Sequence, residues 1–175
     1  MLTLRPPTVL DEAPLRRMHE QLAEEDFPFL LAEGTWGDIL AQVRREAEGR
    51  DLPAGRVRAD FLVAEVDGIP VGRVSVRHEL TPFLREVGGH VGYAVAPPFR
   101  RRGHATEILR QSVQRLRGLG VDRVLVTCDD TNAASAATIE RCGGVLEDVR
   151  VPADGGVPKR RYWIAAAAPL PAPPT

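Results

Sequence analysis

The chain has 175 residues, of which 43% are apolar and 27% charged, with a formal net charge of -1. That length fits one domain with a sizeable core. The charge balance argues against a protein whose main partner is nucleic acid or an anionic membrane surface. Two cysteines, Cys128 and Cys142, are too few for a disulfide framework, and four scattered histidines suggest no metal site. The N-terminus lacks the charged and apolar regions of a signal peptide, and no window approaches the ~20 apolar residues of a membrane span. A cytoplasmic, reduced protein is expected. Lys159 is the only lysine. A GC-rich coding bias accounts for the arginines, so only their placement is informative.

In chain order, "LTLRP" reads as a short strand and "DEAPLRRMHEQLAEE" as a helix, with Leu15, Met18, His19 and Leu22 at helical spacing. A second helix is expected around "WGDILAQVRREAEG", carrying Ile39, Leu40 and Val43 on one face and Gly49 as its stop. Between them "DFPFLLAEGT" is apolar but broken by Pro28 and Gly34, which suits a loop lying over something that needs covering. From Phe61 the pattern turns to strands. "FLVAEV" and "PVGRVSVRHEL" flank an Asp67-Gly68 hairpin turn, and "GGHVGYAVAP" is a strand closed by Pro97 and Pro98.

Helical period returns from Gly103 to Leu119, with Ala105, Ile108, Leu109, Val113 and Leu116 in one stripe. "VDRVLVTC" is a strand apolar enough to be buried on both faces. "DDTNAASAATIERC" is a short capped helix stopped by Gly143-Gly144, and "VLEDVRV" with "KRRYWIAA" makes a last hairpin. The pattern predicts a mixed α/β (α+β) fold in a single domain over residues 1–166, followed by a Pro/Ala-rich tail over 167–175.

The segment "PPFRRRGHATEILR" carries the chemistry. A strand, a tight glycine turn and then a helix aim backbone N–H groups at an anion. Gly103 permits close approach of a phosphate, Ala105 keeps the first turn small, and Arg100, Arg101 and Arg102 offer charge-assisted hydrogen bonds. Neither a P-loop nor a dinucleotide fingerprint is present. Arg100 to Ala105 instead fits Gln/Arg-x-x-Gly-x-Gly/Ala. With the strand before it, the helix and strand after it, and "TNAASAATIERCGG" further on, the chain resembles the GNAT family of N-acetyltransferases over roughly Arg5 to Ile164. It also resembles a bacterial branch of that family with no assigned acceptor, through "RHEL", "TCDDTNAAS", "GGVLE" and "RRYWI".

The resemblance implies a mostly antiparallel twisted sheet flanked by helices and splayed at the cofactor strand. It implies acetyl-CoA as acyl donor, with Tyr93, Ala94 and Val95 beside the pantetheine arm, where a backbone N–H polarises the thioester carbonyl. Arg100, Arg101, Arg102, Gly103, His104, Ala105 and Thr106 would seat the pyrophosphate, and Asn132 and Ser135 would face the cofactor. Asn132 also fits a helix N-cap and Ser135 plain helix packing. Seven residues after Asn132 the family often places a tyrosine that protonates the departing thiolate; here Ile139 stands there. Tyr162 is then the candidate acid, or a core tyrosine.

For the base that takes the amine proton, Glu79 and His90 lead and His78 follows, each also readable as a strand-end polar residue. Cys128 and Cys142 read as small buried residues. The acceptor expected is a small-molecule or peptide amine. An acidic rim of Glu20, Glu24, Glu25 and Asp26 either attracts such a cation or is a solvated helix face. A non-catalytic acyl-CoA-binding protein is the alternative, a nucleic-acid-binding domain ranks third, and a homodimer stays open.

Overall fold

A computed structural model describes residues 1–25 and 27–166. The tail expected over 167–175, and Asp26 of the acidic rim, lie outside the described residues.

The order of elements follows the sequence pattern. Strand β1 (Leu2–Arg5) leads into α1 (Glu12–Ala23), then α2 (Trp36–Glu48), β2 (Ala59–Val66) and β3 (Ile69–Arg77). A short helix α3 (Pro82–Glu86) precedes β4 (Val91–Val95), followed by α4 (His104–Gly118), β5 (Arg123–Asp129), α5 (Ala133–Arg141), β6 (Val145–Arg150) and β7 (Lys159–Ala165). Helix α3 was not expected from the pattern, being a single turn. Thr81 caps it through the Leu84 N–H, with Pro82 at its first position. Helix α2 starts at a reciprocal Thr35–Asp38 capping box and stops at Gly49, whose φ of 69° favours glycine.

The strands form two antiparallel sheets, in the orders β1-β2-β3-β4 and β5-β7-β6. One apolar core lies under α4 and α5, where Leu62, Val74, Val76 and Val91 meet Ile108, Leu109, Leu116, Ile139 and Tyr162. The second lies on the opposite face of the first sheet, where Phe61 and Val63 meet Leu15, Met18, Leu22, Phe29, Trp36 and Ile39. Alternation along β2 decides which core each residue enters. The loop between α1 and α2 does cover something: it lays Phe29 and Leu30 into that second core.

The two sheets touch where β4 begins. The His90 N–H donates to the Leu125 carbonyl at 2.8 Å, and the Leu125 N–H donates to His90 Nδ1 at 2.9 Å. Gly89 makes this approach possible, since a Cβ there would stand 2.5 Å from the Leu125 oxygen and φ is +60°. Beyond that pin, among the described residues, β4 has a strand partner on one side only, β3.

Candidate active site

Hydrogen-bond phase determines what the free side of β4 offers. The Ala96 N–H donates to Val71 O and the Arg77 N–H to His90 O. With Arg73 opposite Ala94 and Ser75 opposite Gly92, antiparallel alternation turns Gly92 and Ala94 toward β3. The N–H and C=O of Tyr93 and Val95 therefore point to the open edge. The Val95 carbonyl is met there by Arg100 Nε at 3.0 Å.

Helix α4 begins beside this edge. Gly103 is its N-cap at φ 80°, and a Cβ added there would meet nothing within 4 Å. The first intrahelical bond runs from the Glu107 N–H to Gly103 O. Among the described residues no protein acceptor meets the N–H groups of Gly103, His104, Ala105 or Thr106, so they form an anion-seeking cluster at the positive end of the helix.

The third wall is α5. Asn132 Oδ1 caps it by accepting the Ser135 N–H at 3.0 Å, and Ser135 Oγ lies 3.1 Å from the Tyr93 hydroxyl. Burial pushes the Tyr93 phenol up to about 12, so it stays protonated through the neutral range. Together these elements enclose a cleft of about 600 Å³, lined by Tyr93, Ala94 and Val95, by Arg100, Arg101 and Gly103 to Thr106, and by Asn132 and Ser135. Phe27, Phe99 and Glu25 line it too. Across the mouth Glu25 accepts two hydrogen bonds from Arg100, at 2.9 and 2.8 Å, which hold its carboxyl below the ordinary range.

Behind β4, on the face away from α4, sits the guanidinium of Arg73, 2% exposed. Burial, with Arg77 nearby, lowers it to about 9, which leaves it charged at neutral pH.

A family model described as an acetyltransferase (GNAT) domain matches residues 1–145. The chain belongs to the GNAT family of acetyltransferases. Its fold and family are those of an N-acetyltransferase. Among solved structures it is similar to Mycobacterium smegmatis RimJ in complex with CoA-disulfide, at 23% identity and TM-score 0.71, covering 94% of this chain and 82% of that one. It is also similar to yncA from Salmonella typhimurium with its cofactor acetyl-CoA, at 18% identity and TM-score 0.66, covering 98% and 99%. A spermidine N-acetyltransferase chimera built from Vibrio cholerae SpeG and hSSAT matches at 16% identity and TM-score 0.67, covering 95% and 96%. No curated protein matches by sequence.

Within this GNAT fold the residues expected at the cofactor mostly converge on the cleft, whereas those expected to move protons do not. Arg102 turns back instead, donating to Pro98 O at 3.1 Å and standing outside the lining. His90, a candidate base from the sequence, sits at the pin between the two sheets and outside the cleft lining. Its Nδ1 lone pair is taken by the Leu125 N–H, and burial with Arg85 and Arg77 nearby lowers it to about 4. Glu79 is exposed past the end of β3, which lies alongside the start of β4, and it is not in the cleft lining. His78 bonds Asp60 through Nε2 at 2.9 Å instead.

Tyr162 is fully buried in the core and donates to Glu140 at 2.9 Å, so it too is absent from the cleft. Cys128 is buried and Cys142 half-buried, both thiols raised by burial. Sequence reasoning missed the Tyr93 side chain, having used only its backbone. Strand alternation carried the signal, since Tyr93 shares a face with Val91 and Val95, opposite α4 and α5. Among the described residues no group of three His, Cys, Asp or Glu side chains could hold a metal ion, and no helix is long and apolar enough to cross a membrane.

Proposed function

We propose that the protein is an acetyl-CoA-dependent N-acetyltransferase acting on a primary amine in the cytoplasm, with the donor lying in the cleft between β4, α4 and α5. One observation carries the reading: the N–H groups of Tyr93 and Val95 and those of Gly103 to Thr106, unpaired among the described residues, belong to residues that line the same cleft. An acyl-CoA has a carbonyl at one end of a flexible arm and a pyrophosphate further along it, which is what two separate sets of donors would serve. The acetyl-CoA cofactor of the yncA structure agrees with that donor.

In this reading the first turn of α4, with Arg101, holds the pyrophosphate, while Arg100 stays on Val95 O and Glu25. The Tyr93 N–H polarises the thioester carbonyl as an amine nitrogen attacks its carbon. The sulfur then leaves as a thiolate, and the Tyr93 hydroxyl donates the proton that makes it a thiol. A phenol held at about 12 is protonated beforehand and recovers a proton through the Ser135 hydroxyl beside it. This supplies the acid that Ile139, buried in the core, cannot.

Glu25 is a carboxylate in the cleft lining, and Arg100 keeps it ionised. With both oxygens ion-paired to Arg100 it is a poor proton acceptor, and the amine proton leaves to water. A small cationic amine such as a polyamine, an aminoglycoside or a peptide N-terminus suits that lining. The spermidine acceptor named for the SpeG chimera is of this class. The test is release of free CoA thiol from acetyl-CoA with a panel of such amines. Amine-dependent release supports the enzyme; tight acetyl-CoA binding with no release from any amine replaces it with an acyl-CoA sensor.

A further inference from the structure

Arg73 is a buried cation that the proposed chemistry does not use. Among the described residues no carboxylate partners it. Its Nε donates to Phe29 O at 2.9 Å, Nη2 to Pro28 O at 2.8 Å and Nη1 to Gly92 O at 2.9 Å. The rings of Phe27, Phe29 and Phe61 surround it, with centroids 5.0, 5.7 and 5.8 Å from its central carbon. Fastening a loop to a strand does not require this. A neutral amide would satisfy two of these carbonyls without carrying a charge into an apolar core. What the charge adds is a field, strong because its surroundings are dry.

The field has a definite address. Gly92 C=O and Tyr93 N–H are the two ends of one peptide group, conjugated through its partial double bond. A cationic donor at the oxygen draws electron density from the nitrogen and makes the N–H a stronger donor. That N–H is the one strand phase turns to the open edge of β4. Phe27 stands between the two sides, touching the guanidinium with its ring and lining the cleft.

We infer that Arg73 is a positioning residue for acetyl transfer, strengthening the Tyr93 N–H through the Gly92–Tyr93 peptide as donor to the thioester oxygen and favouring the negative charge that grows there. This rests on the reading of β4 as the thioester edge. A residue that merely staples the loop of Pro28 and Phe29 would act on stability and binding alone.

Isotope-edited infrared spectroscopy of bound acetyl-CoA, labelled at the thioester carbonyl, separates the two roles. In the unaltered protein the carbonyl band should lie below that of the free donor. Arg73→Gln keeps two N–H donors but removes the charge. The band should return toward the free position and kcat should fall roughly ten- to a hundredfold, while the acetyl-CoA dissociation constant changes less than about threefold. Arg73→Lys should recover part of the band shift.

An unmoved band and kcat in folded Arg73→Gln, with donor binding weakened instead, would overturn the inference while leaving the cleft assignment standing. A band in the unaltered protein identical to that of free donor would overturn both. Should Arg73→Gln not fold, Phe27→Ser admits water to the same guanidinium. The band should then move toward the free position, and a band that stays put counts against Arg73.

Discussion

The two ends of β4 are built from the same strand and do opposite things. At its start, the His90 backbone and imidazole and the Leu125 peptide satisfy one another, and Gly89 lets the two chains close to contact. Toward its end, Tyr93 and Val95 turn their N–H groups to a cleft where no strand answers them. A buried sheet ordinarily leaves few backbone donors unpaired. A splay that begins from a firm pin is therefore a way to present donors to a ligand without loosening the sheet. The comparison teaches that polar residues at the closed end hold the wedge, while the open end leaves backbone donors free for a ligand.

The largest effect should come from filling the open end. Gly103→Glu puts bulk and negative charge where a Cβ now meets nothing within 4 Å, at a left-handed φ. Acetyl-CoA affinity should fall at least roughly a hundredfold, read by calorimetry, with the melting temperature lowered modestly by the left-handed backbone. Unchanged affinity would remove the pyrophosphate from this turn. Next comes Tyr93→Phe, which should lower kcat about a hundredfold while leaving donor binding intact. The loss should shrink with an aryl thioester donor, whose leaving group needs no proton. A defect equal for both donors would take the acid role from Tyr93.

The closed end should respond to pH. His90 has a folded value of about 4 against an ordinary 6.5, so the unfolded chain binds a proton that the folded chain refuses. Stability is fully present above pH 6.5 and declines as pH falls from there through 4, by up to about 2–3 kcal/mol. Denaturant titrations should show that His90→Gln is less stable at neutral pH and flatter across that window. Equal slopes would mean that the imidazole is not held neutral. The smallest effect belongs to Glu79→Gln, where kcat should stay within about twofold because an exposed side chain away from the cleft touches no reactant. A tenfold loss would restore it as the base.

Much of this was legible in the sequence. Periodicity marked the strands and the four longer helices, and the glycine turn between β4 and α4 marked the unmet N–H groups that open α4. The catalytic side chains were less legible, for a physical reason. His90 and Glu79 flank the right strands in sequence, but a strand of five residues has two ends. Which end opens depends on a pairing with Leu125 that lies 35 residues away. Tyr162 looked available because a lone tyrosine on a strand shows no sign of Glu140 reaching its hydroxyl. Arg73 was invisible among many arginines, since its burial depends on the loop carrying Phe27, Pro28 and Phe29 folding back over β3.

The central claim is that donor binds along the open edge of β4 and the first turn of α4. Backbone amide NMR during titration with acetyl-CoA reads those N–H groups one by one. Large shifts at Tyr93, Val95 and Gly103 to Thr106, with Leu125 unmoved at the pin, are the result this account predicts. Shifts that spare these amides, or that centre on Leu125 and His90, would contradict it.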